Sequence, residues 1–308
     1  MIVSFDIGGS AIKGGFAHSE TEITPLPRRA TPGQDFEAFV AVLRDIIAEA
    51  PEKPEGLALS IAGVVDPDSQ ALTCANIPCI HGRQLAADLE AAFGLPVLIA
   101  NDADCFAMAE AISGAGRGHR IVFGAILGTG VGGGLVADGR LVNASGGFAG
   151  EWGHGPIIAA FAGAPPVAIP AYACGCGQVR CVDTIGGARG MERLHLLLHE
   201  RAMASEEIIG HWLAGDAAAT ATLDVYVDLV APPLALTINI TGATIVPVGG
   251  GLSNVAPLLA RLDLAVRSRI LRKFDRPLIV PSQCRIEPGL IGAALLGLRD
   301  VEERRHAA

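Results

Sequence analysis

Leu127-Gly128-Thr129-Gly130-Val131-Gly132-Gly133-Gly134 is the stretch whose reading decides the fold. Gly128, Gly130 and Gly133 satisfy in form the G-x-G-x-x-G spacing of dinucleotide-binding folds, where the glycines open a helix. The context is wrong for a helix. Leu135-Val136-Ala137 follows, then Asp138-Gly139, then Leu141-Val142, so an apolar run turns on Asp-Gly and returns as a β-hairpin does. With the apolar run Ile121–Leu127 ahead of them, the glycines make the turn of a strand–turn–strand unit whose backbone N–H groups can face an anion.

The N-terminus repeats the arrangement. Residues 2–7 form a weakly alternating apolar run ending near Asp6, Gly8-Gly9-Ser10 turns, and Ile12–Ala17 returns. Such a turn offers N–H groups and the Ser10 hydroxyl to a phosphate, and Asp6 at the strand end can hold a hydrated Mg2+. An ordinary hairpin with an exposed aspartate is the plain alternative. Two units of this kind, each starting one half of the chain, predict a duplicated architecture that grips phosphates from both sides. There is no G-x-x-x-x-G-K-[ST], which excludes a P-loop kinase. A third glycine run, Gly249-Gly250-Gly251, follows a predicted strand over 244–248 and leaves room for a flat adenine ring against bare backbone.

Between the two hairpins, helical spacing predicts a helix over 35–50 capped by Asp35, and a second over 85–93. GLALSIA, residues 56–62, reads as a buried strand that ends in a turn at Gly63. Asn76 lies in a loop, where asparagine can meet a polyhydroxyl ligand or simply stabilise a turn. A strand over 97–100 ends in Asn101-Asp102-Ala103-Asp104 ahead of a helix over 105–112. Groups at the carboxyl end of such a strand face the ligand crevice of an open α/β sheet. One aspartate is expected to cap the helix, which leaves the other for accepting a proton. Beyond the glycine-rich link Gly114–Gly118, helices are predicted around 190–199, 205–212 and 217–229, a last strand over 278–281 and a last helix over 289–298.

Residues 150–183 hold the densest chemistry: GEWGH, a Gly/Pro/Ala-rich connector, then CGCGQVRCVD. Cys174, Cys176 and Cys181 are three of the chain's 7 cysteines, and with His154 they form the Cys3His set of a closed structural zinc site. Such a metal is a fastener, and it would pin Glu151 and Asp183 near a common point. A C-x-C redox pair, or a satisfied core histidine beside an accidental cysteine loop, are the competing readings.

The 308 residues suffice for two domains, and 50% hydrophobic with 18% charged residues describe a compact soluble protein. A net charge of −9, with Lys13, Lys53 and Lys273 the only lysines, argues against a nucleic-acid surface. The apolar stretch Ile157–Tyr172 is broken by Pro165, Pro166 and Pro170 and falls short of the roughly 18–20 residues of a membrane span. No secretion leader is legible before Asp6, and Cys74, Cys79, Cys105 and Cys284 read as buried, reduced thiols of a cytoplasmic protein.

FDIGGSAIKGG, IANDADCF, ILGTGVGGGLV, GEWGH with CGCGQVRC, and VPVGGGLSN, in that order over nearly the whole chain, resemble the ROK family (repressors, open reading frames and kinases). ANIPCIHGRQLAADL and NDADCFAMAEA are most similar to its bacterial N-acetylglucosamine kinases. The resemblance implies an α/β, actin-like, ribonuclease-H-like ATPase fold of two α/β domains flanking a cleft: a smaller one over 1–116, to which a helix at about 290–308 returns, and a larger one over 117–289 with the zinc loop. It implies a homodimer, and a hexose phosphorylated at its 6-hydroxyl by ATP with Mg2+. Asp102 would be the general base. Gly63, Asn76, Asn101, Glu151, His154 and Asp183 would bind the sugar, and His154 would also ligate zinc through its other ring nitrogen. Asp6, Gly8, Gly9, Ser10, Gly128, Thr129, Gly130, Gly132, Gly249, Gly250 and Gly251 would serve ATP.

Two positions depart from the family pattern. Asp183 stands where glutamate is usual, one methylene shorter, and Ala11 stands where lysine is frequent, with Lys13 two residues on as a solvated charge in preference to a phosphate contact. N-acetylmannosamine, glucose or fructose are alternative substrates. Sugar-responsive repressors of the family carry a helix-turn-helix ahead of this hairpin, where five residues precede Asp6 here. A silent sugar-binding protein would be expected to have lost Asp102 or the glycine turns.

Overall fold

The computed structural model describes residues 1–284 and 286–307. Two compact units divide the chain: Met1–Gly114 with Gly134–Ala149 and Cys284–Ala308, and Ala115–Gly133 with Gly150–Gln283. The division therefore differs from a cut at residue 116 in giving Gly134–Ala149 to the first unit.

In the first unit the sheet order is Glu22–Pro25, Ala11–Ser19, Ile2–Ile7, Leu57–Ile61, Val97–Asn101. Ile2–Ile7 and Ala11–Ser19 form the glycine-turned hairpin; Leu57–Ile61 and Val97–Asn101 add parallel on the Ile2–Ile7 side, and Glu22–Pro25 pairs antiparallel with Ala11–Ser19. Ile2–Ile7 and Leu57–Ile61 are apolar almost throughout because both faces of the sheet are covered. The Phe36–Ala48 helix, with Asp35 accepting from the Ala38 N–H as cap, buries Phe39, Val40, Leu43 and Ile46 among the sheet's core residues. The Pro288–Ala307 helix packs on the same strands and on the Asp102–Ser113 helix. Those two helices meet at Gly292, where any Cβ would collide with the Cys105 carbonyl.

In the second unit Ile121–Leu127 pairs with Val131–Ala137 on one side and parallel with Val246–Gly249 on the other, which in turn pairs parallel with Ile279–Pro281. Hairpin first, then two parallel strands, is the order of the first unit again, so the duplicated architecture is present. Val131–Ala137 ends in the first unit, where Val136 and Ala137 pair with Leu141 and Arg140 across Asp138-Gly139. Both turn residues have positive φ, 51° and 74°, as a two-residue hairpin turn demands.

One helix outruns its expected length. The segment predicted to stop at Leu229 continues as Ala217–Thr241 through Pro232 and Pro233, which remove two N–H donors and explain why a stop was legible there. Burial of Val230, Ala231, Pro233, Leu234, Ala235 and Ile238 carries it on. By length and composition it is long and apolar enough for a membrane span, but 67% of that window is buried in the fold, as in a core helix. The last helix, Pro288–Ala307, passes the 298 read from the residues alone and has the extent of about 290–308 that the resemblance implies.

The close approach at Gly292 is testable. Gly292→Ala forces the two helices apart and is expected to lower the unfolding free energy by about 2–3 kcal/mol, read as a drop in the urea midpoint. An unchanged midpoint would show that the helices do not meet there.

Candidate active site

In the first unit, the parallel register sets Asp6 opposite Ser60, and Ser60 opposite Ala100, with Ile61 and Asn101 paired one residue on. The carboxyl ends of three strands therefore deliver Asp6, the Gly63 turn and Asn101-Asp102 to one edge. Asp6 accepts from Ser60 Oγ at 3.1 Å and from Lys13 Nζ at 2.9 Å. Lys13 also meets Glu287 Oε2 at 2.5 Å, and Arg28 meets Glu287 Oε1 at 3.0 Å. Lys13 is thus a mostly buried ion-pair partner and not a solvated charge, and these carboxylates raise its pKa against the opposing effect of burial. The exposed Gly8–Ser10 turn closes with a Gly8 N–H bond to Ala11 O at 3.0 Å, while Thr31 Oγ1 donates to Gly8 O at 2.7 Å. Gly9 lies against Asn76, whose carbonyl would be 3.0 Å from a Cβ there.

At the third strand end the division of labour differs from the expected one. Asn101, and neither aspartate, is the residue just before the helix, and its Oδ1 accepts from the Ala103 N–H at 2.8 Å. Its Nδ2 donates to Gly63 O at 2.8 Å, which joins two predicted sugar ligands directly. Asp104 is buried and accepts from Asn143 Nδ2 at 3.0 Å; Asn143 further bonds both backbone groups of Ala149. Asp104 is therefore structural. Asp102 sits in the first helical turn, accepting from its neighbour Ala103 N–H at 2.9 Å, where the helix N-terminus favours a carboxylate.

In the second unit the Gly128–Gly130 turn closes with a Gly128 N–H bond to Gly130 O at 3.0 Å. Gly250, at φ 84°, presses its backbone against Leu127 and Gly128 so closely that a Cβ would overlap the Leu127 carbonyl. The Ala188–His199 helix begins beside the same turn, with Ala188 N–H donating to Gly128 O at 2.8 Å. Two glycine runs and a helix N-terminus thus converge, and that combination favours an anion. The Gly132 carbonyl accepts from the Trp152 indole at 2.8 Å. Gly133 leaves the space that Trp152 and Phe123 fill edge to face, with ring centroids 6.3 Å apart.

This tryptophan anchors the GEWGH loop. Glu151 is raised in pKa by burial, with His154 opposing and Asp183 reinforcing the shift. His154 Nε2 lies 3.7 Å from Glu151 Oε2, and its Nδ1 lies 3.6 Å from Cys174 Sγ. Cys176 and Cys181 Sγ are 3.6 Å apart, and the four donor atoms of His154, Cys174, Cys176 and Cys181 all fall within 4.8 Å of one another. Gly177, at φ 88°, makes the tight turn that folds Cys174 and Cys176 together. Burial pushes the Cys174 thiol up to about 12, while the Gln178 N–H draws Cys176 down to about 7. Three thiols at this spacing resist joint ionisation unless a cation offsets them, so the donor set fits a metal ion. Asp183 Oδ2 is 3.7 Å from Cys174 Sγ.

Within each unit, most predicted site residues do gather. Lys13, Asn143 and Trp152 were not singled out from sequence as parts of the site's support. For Lys13 the signal was available, since a hairpin turn at 8–10 sets it opposite Asp6.

The chain matches the ROK family over residues 2–300. It is 34% identical over 300 residues to the N-acetylgalactosamine kinase of Shewanella sp. (strain ANA-3), covering 96% of each chain. It is also 34% identical over 303 residues to the N-acetyl-D-glucosamine kinase of Pectobacterium atrosepticum, covering 97% of this chain and all of that one. Among solved structures, the ROK hexokinase of Thermus thermophilus superposes with a TM-score of 0.83 at 26% identity over 98% of this chain and 99% of that one. A ROK glucokinase from Streptomyces griseus, solved with glucose and AMPPNP, gives 0.70 at 26% identity over 96% and 98%. The expected actin-like fold holds, and this chain belongs to the ROK family.

Proposed function

We propose that this chain is an ATP-dependent kinase acting on the 6-hydroxyl of a hexose, with N-acetyl-D-glucosamine its first substrate. The carrying observation is Asp102: a carboxylate at a strand's carboxyl end, in a helix's first turn, on the sheet edge that also presents Asp6 and the Gly8–Ser10 turn. Curated relatives named as N-acetyl-D-glucosamine kinases, alike over nearly their whole length, support the substrate class. The related N-acetylgalactosamine kinase makes the C4 epimer the second reading.

Phosphoryl transfer asks a protein mainly for in-line positioning and charge neutralisation. Asp102 takes the proton of the attacking 6-hydroxyl and orients that oxygen. On the first unit, Asn101, Gly63 and Asn76 stand by Asp102 as ligands for the sugar's other hydroxyls; on the second, Glu151 and His154 form by themselves a carboxylate–imidazole pair of the kind that binds hydroxyls. Asp6, whose oxygens are engaged by Ser60 and Lys13, would hold a Mg2+ ion, which when bound would supply neutralisation of phosphate charge. The Gly8–Ser10 and Gly128–Gly130 turns offer N–H groups to the phosphates, and Gly249–Gly251 offers bare backbone to the base. Zinc would be held by Cys174, Cys176, Cys181 and His154, fixing the tautomer that turns His154 Nε2 toward Glu151 and the sugar. All seven cysteines are free thiols, in keeping with a cytoplasmic enzyme.

Release of ADP from ATP·Mg tests the proposal against N-acetylglucosamine, N-acetylgalactosamine, N-acetylmannosamine, glucose and fructose. The highest kcat/KM is expected for N-acetylglucosamine, and no release with any of them sinks the kinase reading. Asp102→Asn is expected to lower kcat by about 10²–10⁴-fold while sugar affinity holds; full turnover in that variant removes Asp102 from the mechanism. Elemental analysis should find zinc stoichiometric with the chain and lost, together with thermal stability, in Cys176→Ser. Zinc-free wild-type protein that folds and melts normally would refute the metal.

A further inference from the structure

Asp183 was expected among the hexose ligands, yet one oxygen of its carboxylate is engaged by the backbone of the glycine turn, and the other, Oδ2, lies 3.7 Å from Cys174 Sγ. Asp183 Oδ1 accepts the Val131 N–H at 2.8 Å, and the Asp183 N–H donates to Gly153 O at 2.9 Å. A Cβ on Gly130 would collide with that same Oδ1, so the missing side chain at 130 is what admits the carboxylate. Two more contacts join the same short segment to the same turn. Ala188 N–H donates to Gly128 O at 2.8 Å, and Gly187 lies against Thr129 O with no room for a Cβ. Residues 183–188, which follow Cys181 and Val182, therefore hold each residue from Gly128 to Val131.

The physical consequence concerns backbone freedom. The Gly128–Gly130 turn contains two glycines, and glycine loses more conformational entropy on ordering than any other residue. A carboxylate accepting the Val131 N–H fixes the peptide plane between Gly130 and Val131, and a hydrogen bond to a charged group is among the stronger ones available. Aspartate, one methylene shorter than glutamate, keeps its carboxylate back on this backbone.

We propose that Asp183 is a positioning residue for the Gly128–Gly130 turn, holding it in the shape that receives nucleotide phosphates, and that it is not a hexose ligand. This rests on the kinase reading above.

The test measures two affinities separately: a fluorescently labelled ADP by anisotropy, and N-acetylglucosamine by calorimetry without nucleotide. Asp183→Ala is expected to weaken ADP binding about tenfold and leave sugar affinity within about twofold. Asp183→Asn keeps an oxygen acceptor for the Val131 N–H and should recover most of the loss. Gly130→Ala, at a φ open to any residue, displaces the carboxylate and should reproduce the Asp183→Ala defect. Should Asp183→Ala not fold, the contrast between Asp183→Asn and Gly130→Ala carries the same test. Weakened sugar binding with intact ADP binding would overturn the proposal, as would an Asp183→Asn defect equal to that of Asp183→Ala. Wild-type protein that binds sugar but no nucleotide would instead overturn the kinase reading and the proposal with it.

Discussion

The parallel register of Ile2–Ile7, Leu57–Ile61 and Val97–Asn101 is the constraint on which the first unit depends. Ile2–Ile7 and Leu57–Ile61 are apolar strands buried on both faces, with Val97–Asn101 partly buried beside them, and the Phe36–Ala48 and Pro288–Ala307 helices cover them. Once that register is set, Asp6, the turn at Gly63 and Asn101-Asp102 must emerge on one edge. A slip of one residue would turn each of these side chains to the opposite face. The chemistry at the edge is thus inherited from apolar packing behind it, and Asn101 completes it by bonding Ala103 and Gly63 at once.

The second unit solves a similar problem with glycine. Gly128–Gly130, Gly250 and the start of the Ala188–His199 helix approach so closely that side chains at several positions would overlap carbonyls. The glycine-rich strand after the turn has a separate use: it receives Trp152, which seats the loop carrying Glu151 and His154. His154 then faces two ways, with Nδ1 in the thiol cluster and Nε2 toward Glu151. One imidazole therefore bridges the thiol cluster and the Glu151 carboxylate.

Much of this was legible in the sequence because it is local. The glycine turns, the Asp138-Gly139 hairpin, the Asp35 cap and the Cys/His spacing each depend on a few neighbouring residues, and each is found where the residues predict it. What was not legible depends on partners distant in the chain. The Ala217–Thr241 helix runs through two prolines because its core face is buried on both sides of them. Asp104 was separated from Asp102 only by Asn143, thirty-nine residues away. Lys13 was misjudged because Glu287, near the other end of the chain, supplies its second carboxylate.

The central claim is that Asp102 addresses one hydroxyl of one sugar. A crystal structure of the chain with N-acetyl-D-glucosamine measures this directly. The predicted result is a 6-hydroxyl oxygen within about 3.2 Å of an Asp102 carboxylate oxygen. A bound sugar whose 6-hydroxyl points away from Asp102, or that lies elsewhere on the protein, would contradict it.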